Sequence, residues 1–360
     1  MSQVIPNTLS SDDPRHQFHE LEVLDVIRET ADATSFVFEI PSALEEIFTY
    51  QPGQFFTFEI PWEGFHIKRC YSLSSASTWG EKPKVTVKRI DDGRMSNWMN
   101  DNLKSGNTIR VLPPAGLFVL NPDKTRGRPL TLFGGGSGIT PVMSLLKQAL
   151  RETERSVKLI YANRDVDSVI FRKELGQIVA EHEDRFAVVH HLDNESGFMS
   201  PANVQAHIAD RLDSDFYICG PTPFMDTVEA GLNESALTGG DIHIERFVSA
   251  TDPDRQAETQ DAPPVSTGTP ETVTLTLEGT THQVDYTAGE TILQAAVRAG
   301  LDVPFSCQDG YCSCCMAKLR QGEVSMATHE ALTQAEVDSG WILTCQAKPI
   351  TGACEVEYED

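Results

Sequence analysis

Basic residues are scarce in this chain: 29 Lys and Arg stand against 53 Asp and Glu, a formal net charge of -24. That deficit excludes a generic nucleic-acid binder, which needs a basic footprint for the phosphate backbone. Long apolar runs are missing too. The uncharged stretch 129–146 has the length of a membrane span, but its four glycines, two prolines and its Ser and Thr residues exclude one. The opening MSQVIPNTLSSDDPRHQFHE has neither a basic n-region nor an apolar h-region, so no secretory signal is expected and a reducing, cytoplasmic setting is. There is no internal repeat. Eight cysteines in 360 residues are too few and too unevenly placed for a disulfide-stapled scaffold. What remains, 40% hydrophobic and 23% charged, is the composition of an ordinary soluble globular protein with room for two or three domains.

The few cysteines concentrate in one place. Four of the eight fall within CQDGYCSCC, residues 307–315. Cys307 and Cys312 are separated by four residues, Cys312 and Cys315 by two, and Cys315 and Cys345 by twenty-nine. This is the plant-type C-x4-C-x2-C spacing with a distant fourth thiolate, and it predicts Cys307, Cys312, Cys315 and Cys345 as ligands of a [2Fe-2S] cluster. A structural zinc site needs two closely spaced ligand pairs, and only one is present. Gly310 and Ser313 suit a loop whose main chain must approach inorganic sulfide and donate hydrogen bonds to it. Cys314 and Cys354 are left over as thiols without a ligand role.

Composition divides the chain. Residues 1–16 read as a flexible N-terminus, and 249–271, rich in Pro, Asp, Thr, Ser and Gln, as a flexible linker. Over 17–124, short β-rich runs (LEVLDVIRE, ATSFVFEIP, GQFFTFEIP, RCYSLSS, KVTVKRI, TIRVLPP) are punctuated by Gly and Pro, with one helical interruption at MSNWMNDNL. That spacing suggests an antiparallel β-barrel. Over 125–248, strand-like runs alternate with helical patterns, Val142, Leu145, Leu146, Ala149 and Leu150 sharing one helical face, which implies a parallel-sheet α/β domain. Over 272–360, a hairpin in TVTLTLEGTTHQVDY and a short helix closed by Gly300 precede the cysteine loop, as in a small β-grasp domain. Counting from residue 271, fourteen Asp and Glu face four Lys and Arg. Such an acidic end would be steered toward a basic docking patch on a partner, solubility alone being the competing reading.

Two further stretches carry chemistry. LFGGGSGITPVMSLL sets a Gly-rich turn between strand and helix, with Gly136 and Gly138 in the turn, Thr140 as expected N-cap and Pro141 at the first helical position. Free amides and the positive end of a helix there would face a pyrophosphate, a tight turn without ligand being the alternative. In YANRDVDS, Arg164 suits a 2′-phosphate and Asp165 a 2′-hydroxyl, so NADH and NADPH both stay open. RCYSLSS places Arg69, Tyr71 and Ser72 on one strand, and Gly93 with Ser96 opens a helical run that offers a second phosphate cradle.

Arg69-x-Tyr71-Ser72, Gly93-x-x-Ser96, GGGSGITP, CGPTPFM and ERF occur in the order of the ferredoxin-NADP reductase superfamily, which the chain resembles from about residue 17 onward. With its C-terminal ferredoxin module it is similar to the oxygenase-reductase branch. RCYSLSS, VTVKR, SNWM, YANRD with SVIF, and HIERF look most like the reductase component of 3-ketosteroid 9α-hydroxylases, with phenylacetyl-CoA oxygenase reductases next.

The resemblance implies a flavin-binding barrel, a nucleotide-binding domain and a ferredoxin domain, carrying FAD (FMN in a related branch), NADH or NADPH, and a [2Fe-2S] cluster. Arg69 would neutralise the flavin pyrophosphate, Tyr71 would pack on the isoalloxazine and Ser72 would sit near flavin N5. Val87, Lys88, Gly93, Met95 and Ser96 would complete the flavin site. Asn163, Arg164, Asp165 and Gly220 would join the Gly-rich turn around the nicotinamide dinucleotide. Cys219 would lie where the nicotinamide enters, with Glu245 and Phe247 approaching the flavin from the other side; Ser72, Cys219 and Glu245 are thus the expected catalytic set. The implied activity is an NADH-dependent oxidoreductase that feeds a terminal, Rieske-type oxygenase through FAD and the cluster. Another acceptor, such as a hybrid-cluster protein, and a redox-sensing module are the competing functions.

Overall fold

The computed structural model describes residues 14–63, 65–120, 127–246, 270–277, 279–301, 303–305, 310, 314–329, 332 and 334–358. Contacts divide the chain into two compact units, one within Glu20–Pro253 and the other formed by Asp254–Asp360 with the residues up to His19.

The first unit opens with a sheet of β1 (His19–Arg28), β2 (Ala33–Glu39), β3 (Phe55–Trp62), β4 (Phe65–Ser72), β5 (Lys84–Lys88) and β6 (Thr108–Ala115), in the order β4-β3-β6-β1-β2-β5. Antiparallel pairing and a bridge between Leu73 and Val85 bring the two ends together into a barrel. Alternation explains its filling: ATSFVFE turns Phe36 and Phe38 inward, and FFTFEIPW turns Phe56, Phe58 and Ile60 inward. Those rings meet edge-on or tilted, Phe38 and Phe58 at 5.5 Å between centroids. Helix α1 (Arg94–Asn102) closes one end with Met95 and Met99.

The second layer of this unit is a parallel sheet of β7 (Leu130–Gly135), β8 (Val157–Asn163), β9 (Phe186–Leu192), β10 (Asp215–Gly220) and β11 (Ile242–Arg246), in the order β11-β10-β7-β8-β9. Two apolar clusters cover its faces. One includes α2 (Ile139–Glu152) and α3 (Arg172–Glu181); beyond the short α4 (Asp193–Ser196), the other includes α5 (Pro201–Ile208) and α6 (Thr222–Asn233). The strand order reverses between β7 and β10, and in open α/β sheets ligands bind at the carboxyl ends of strands beside such a switch point.

Two expectations for α2 change. Its N-cap is Gly138, two residues before Thr140, because the 3-10 turn Gly136–Gly138 runs straight into the helix. Thr140 lies inside the first turn and its hydroxyl donates back to Ser137 O at 3.1 Å. Residues 139–150 are buried all round rather than on a single face, since the barrel packs on the side away from the sheet.

The second unit holds a mixed sheet of β12 (Thr272–Leu277), β13 (Thr280–Asp285), β14 (Met316–Gln321), β16 (Trp341–Leu343) and β18 (Glu355–Glu357), in the order β13-β12-β18-β14-β16. A small ribbon pairs β15 (Val324–Met326) with β17 (Ala347–Pro349). Helix α7 (Ile292–Arg298) starts at a reciprocal Thr291–Gln294 capping box and ends before Gly300, whose φ of +77° only glycine adopts readily. Its Ile292, Leu293, Ala295 and Ala296 enter the sheet's core, and α8 (Gln334–Asp338) follows further on. The expected linker lies outside the described residues apart from Pro270 and Glu271. Among the described residues no helix is long and apolar enough to cross a membrane.

Candidate functional site

The flavin motif sits on β4. Antiparallel pairing sets Arg69 opposite Phe58, Tyr71 opposite Phe56 and Ser72 opposite Phe55. Arg69 and Tyr71 share one face because they are two residues apart, and Ser72 takes the other. The Tyr71 ring lies 5.9 Å from Phe58, and the residue is half-buried. Burial pushes its hydroxyl well up, with Arg69 pulling the other way, so the phenol stays protonated. Ser72 is buried, yet among the described residues its Oγ has no hydrogen-bond partner. A buried hydroxyl without a partner is costly unless a ligand completes it.

Beside this strand, Gly93 caps α1 with no side-chain hydrogen bond to the first turn. A Cβ at Gly93 would stand 2.5 Å from Ser96 Oγ, so a larger residue would spoil the turn. The side chains of Val87 and Met95 point into the barrel core, so any contribution of theirs to a cofactor comes from the main chain. Lys88, at the end of β5, is partly buried, and burial lowers its pKa against the pull of Asp32. The orphaned Ser72 hydroxyl, the Tyr71 face beside Arg69 and the glycine cradle at 93 together fit a flavin dinucleotide.

At the switch point three glycines let two strand ends touch. A Cβ on Gly138 would lie 2.2 Å from Cys219 O, and one on Gly135 or Gly220 would lie 2.7 Å from the Phe224 ring. Gly136 has φ +52°, and its carbonyl accepts from the Tyr161 hydroxyl at 3.0 Å. Cys219 pairs in register with Glu245 on the neighbouring strand. The Cys219 thiol is fully enclosed in the apolar cluster around α2, and burial first, then Glu245, raises its pKa well above the ordinary value. It is therefore a neutral thiol rather than a thiolate nucleophile. Asn163 ends β8 with its amide buried and without a hydrogen bond of good geometry. Past it, Arg164 reaches Asp32 of the barrel at 3.2 Å, while Asp165 caps the next turn by accepting from Ser168 N at 2.9 Å. Phe247 lies outside the described residues.

In the second unit, Cys315 and Cys345 flank paired strands: Met316 sits opposite Leu343, and Thr344 donates to Cys315 O through both its amide and its hydroxyl. Both thiols are buried, and Tyr358, whose own burial pushes its pKa up with a smaller push from the two thiols, donates its hydroxyl to Thr344 Oγ1 at 3.1 Å. Gly310 has φ +84°, and a Cβ there would lie 2.5 Å from Thr328 Cγ2, so the loop between the expected ligands demands glycine. Cys307 and Cys312 lie outside the described residues. Two enclosed thiols at one end of a strand pair, beside a loop that needs glycine, fit a cluster's donor set. Cys354 is buried elsewhere in the core, where its thiol is pushed up to about 11 by burial and Glu355.

Sequence reasoning missed a charge cluster where the barrel meets α2 and α3. Lys147 is fully buried, 2.7 Å from Glu81 and 2.6 Å from Glu174. It also missed Asp32, since an Asp in a strand-connecting turn has an ordinary local role and carries no signal of a distant arginine.

Three families match in succession: an oxidoreductase FAD-binding domain over 20–120, an oxidoreductase NAD-binding domain over 132–230 and a 2Fe-2S iron-sulfur cluster binding domain over 275–349. The ferredoxin reductase component of 3-ketosteroid-9-alpha-monooxygenase from Rhodococcus rhodochrous is 39% identical, over 94% of this chain and 96% of the relative. A component of the 1,2-phenylacetyl-CoA epoxidase of Escherichia coli K12 is 32% identical, over 95% of this chain and 98% of the relative. Among solved structures, phthalate dioxygenase reductase superposes with TM-score 0.58 at 26% identity, covering 95% of this chain and 98% of that one. Full-length CYP116B46 from Tepidiphilus thermophilus gives 0.68 at 25% identity, over 94% of this chain, which spans only 42% of that protein.

Proposed function

The chain belongs to the FAD-, NAD- and [2Fe-2S]-binding reductase components of oxygenase systems, and on that premise we propose NADH as its reductant and a terminal, Rieske-type oxygenase of the 3-ketosteroid 9α-hydroxylase kind as its acceptor. The order of electron flow is nicotinamide, FAD, cluster. FAD held there would supply the conversion between the two-electron dihydronicotinamide and the one-electron cluster.

The residues divide the labour. Arg69 offsets the flavin pyrophosphate, helped by the first turn of α1 after Gly93 and by Ser96. Tyr71 covers the flavin ring, and Ser72 Oγ donates at its reactive edge. Gly136, Gly138 and Gly220 keep the switch point shallow enough for the dinucleotide, whose remaining polar groups meet Asn163, Arg164 and Asp165. Neutral Cys219, enclosed behind the switch point beside Glu245, backs the wall that the nicotinamide meets, and Phe247 completes the enclosure. Positioning of this kind, rather than new covalent chemistry, is the protein's contribution to the transfer. Cys307, Cys312, Cys315 and Cys345 hold the cluster in a ferredoxin domain spanning 272–360, after a barrel at 17–124 and a nucleotide domain at 125–248. Its acidic surface docks on a basic patch of the oxygenase in the cytoplasm.

The orphaned hydroxyl of Ser72, in a chain that also carries the glycine-bound switch point, is the observation that carries this reading. Replacing Cys345 by Ser tests it. NADH-to-dye activity through the flavin persists, whereas delivery to a purified ketosteroid oxygenase falls to background. Undiminished oxygenase turnover would sink the assignment, and turnover confined to a phenylacetyl-CoA oxygenase would transfer it to that acceptor.

A further inference from the structure

One barrel carboxylate stands between two cations at the mouth of the nucleotide crevice. Asp32, in the turn between β1 and β2, places Oδ2 3.2 Å from Arg164 Nη2 and 3.9 Å from Lys88 Nζ. The Thr30 hydroxyl donates to its other oxygen at 2.8 Å and fixes the carboxylate's orientation. Lys88 in turn overlooks the Gly-rich turn, its Nζ 3.7 Å from where a Cβ on Gly136 would be. Asp165 adds a second carboxylate directly after Arg164.

Stability does not account for this arrangement. Arg164 is 69% exposed and Asp32 27%, and pairs so open to water contribute little to folding. Their effect falls on what approaches Arg164. Two cations and two carboxylates leave that corner with no surplus positive charge. A 2′-phosphate carries about two negative charges and needs such a surplus, whereas a ribose hydroxyl is satisfied by a carboxylate that accepts its hydrogen bond.

We infer that Asp32 is a specificity-determining residue for the nucleotide: by occupying Arg164 and Lys88 it denies them to a 2′-phosphate and makes the site select NADH over NADPH. The inference rests on the reading of the switch point as the dinucleotide site. It locates the selection on the flavin barrel rather than on the nucleotide sheet alone. Asp32→Asn keeps the turn's backbone and a hydrogen-bonding partner for Thr30 while removing one negative charge.

Two measurements on the flavin-loaded full chain test it. The first is kcat/KM for NADH and NADPH with ferricyanide as acceptor. The second is calorimetric binding of adenosine 2′,5′-bisphosphate against AMP, which needs no electron transfer. The wild type prefers NADH, and Asp32→Asn raises the NADPH-to-NADH ratio about tenfold, the scale of one partly screened charge contact. It tightens binding of the bisphosphate but not of AMP, and adding Arg164→Gln cancels both gains. A ratio and a bisphosphate affinity unmoved by Asp32→Asn would overturn the role of Asp32, as would a wild type that prefers NADPH. If neither nucleotide is oxidised, the reductase reading fails, and the calorimetric comparison still decides for or against Asp32.

Discussion

Replacing Lys147 by Met tests whether a buried charge cluster fastens the barrel to the nucleotide sheet. The ammonium is enclosed midway along α2, 2.7 and 2.9 Å from the Glu81 oxygens and 2.6 Å from Glu174 Oε1, and Trp79 Nε1 donates to the Lys147 carbonyl at 2.7 Å. Methionine keeps most of the stem and removes the charge, leaving two carboxylates without their shared cation. Removing one partner of a buried ion pair costs about 3–5 kcal/mol. Glu81 and Glu174 are 30% and 29% exposed, and Lys84 remains 3.5 Å from Glu174, so the low end, about 3 kcal/mol, is expected. At a urea dependence of about 3 kcal/mol per molar, the unfolding midpoint falls by about 1 M. Adding Glu81→Gln and Glu174→Gln restores most of the loss, because the cost lies in the unpaired carboxylates. The pH dependence has a definite sign. Burial opposes ionisation of Glu174, but Lys147 and Lys84 outweigh it and hold the carboxyl below its ordinary value. Its stabilisation is present above the unfolded-chain pKa and is lost as pH falls through the lower folded value. Without Lys147 burial prevails, so the variant recovers stability relative to wild type on acidification. A loss under about 1 kcal/mol, or a triple variant no better than the single one, would refute the reasoning.

Two other substitutions probe the site. Ser72→Ala removes a buried hydroxyl that has no partner among the described residues, so it should retain flavin and leave stability almost unchanged. Stopped-flow reduction of that flavin by NADH should slow roughly 10- to 100-fold, the worth of one hydrogen bond to a charged or polarised group; an unaltered rate would remove Ser72 from the site. Gly138→Ala drives a Cβ to 2.2 Å from Cys219 O, which must part β7 from β10 at the switch point. Overpacking of this kind costs about 1–3 kcal/mol, and nucleotide affinity measured by calorimetry should fall while flavin content holds. Normal affinity would mean that the close approach is not needed for binding.

Much of this was legible because the determining features are local. A C-x4-C-x2-C loop, the strand alternation of ATSFVFEIP and a glycine run between strand and helix each carry their meaning within a dozen residues. The sheets and the barrel follow those periods, and Gly300 ends its helix as expected. The misreadings have a common cause in contacts between distant segments. Thr140 has the chemistry of an N-cap, but the 3-10 turn Gly136–Gly138, packed against Cys219, runs straight into the helix and starts it earlier. Lys147 falls on the face that α2's apolar pattern leaves to solvent, and only the barrel's arrival buries it. Val87 and Met95 belong to matching motifs, yet their side chains serve the barrel core. Asp32 and Arg164 are 132 residues apart, a separation at which pattern reading has no purchase.

Anaerobic reduction of the purified protein by NADH, followed by absorbance and low-temperature EPR, tests the central claim most directly. The account predicts bleaching of the flavin band together with a rhombic signal from a reduced [2Fe-2S] centre. Flavin bleaching with no such signal, and zinc in the metal analysis, would contradict it.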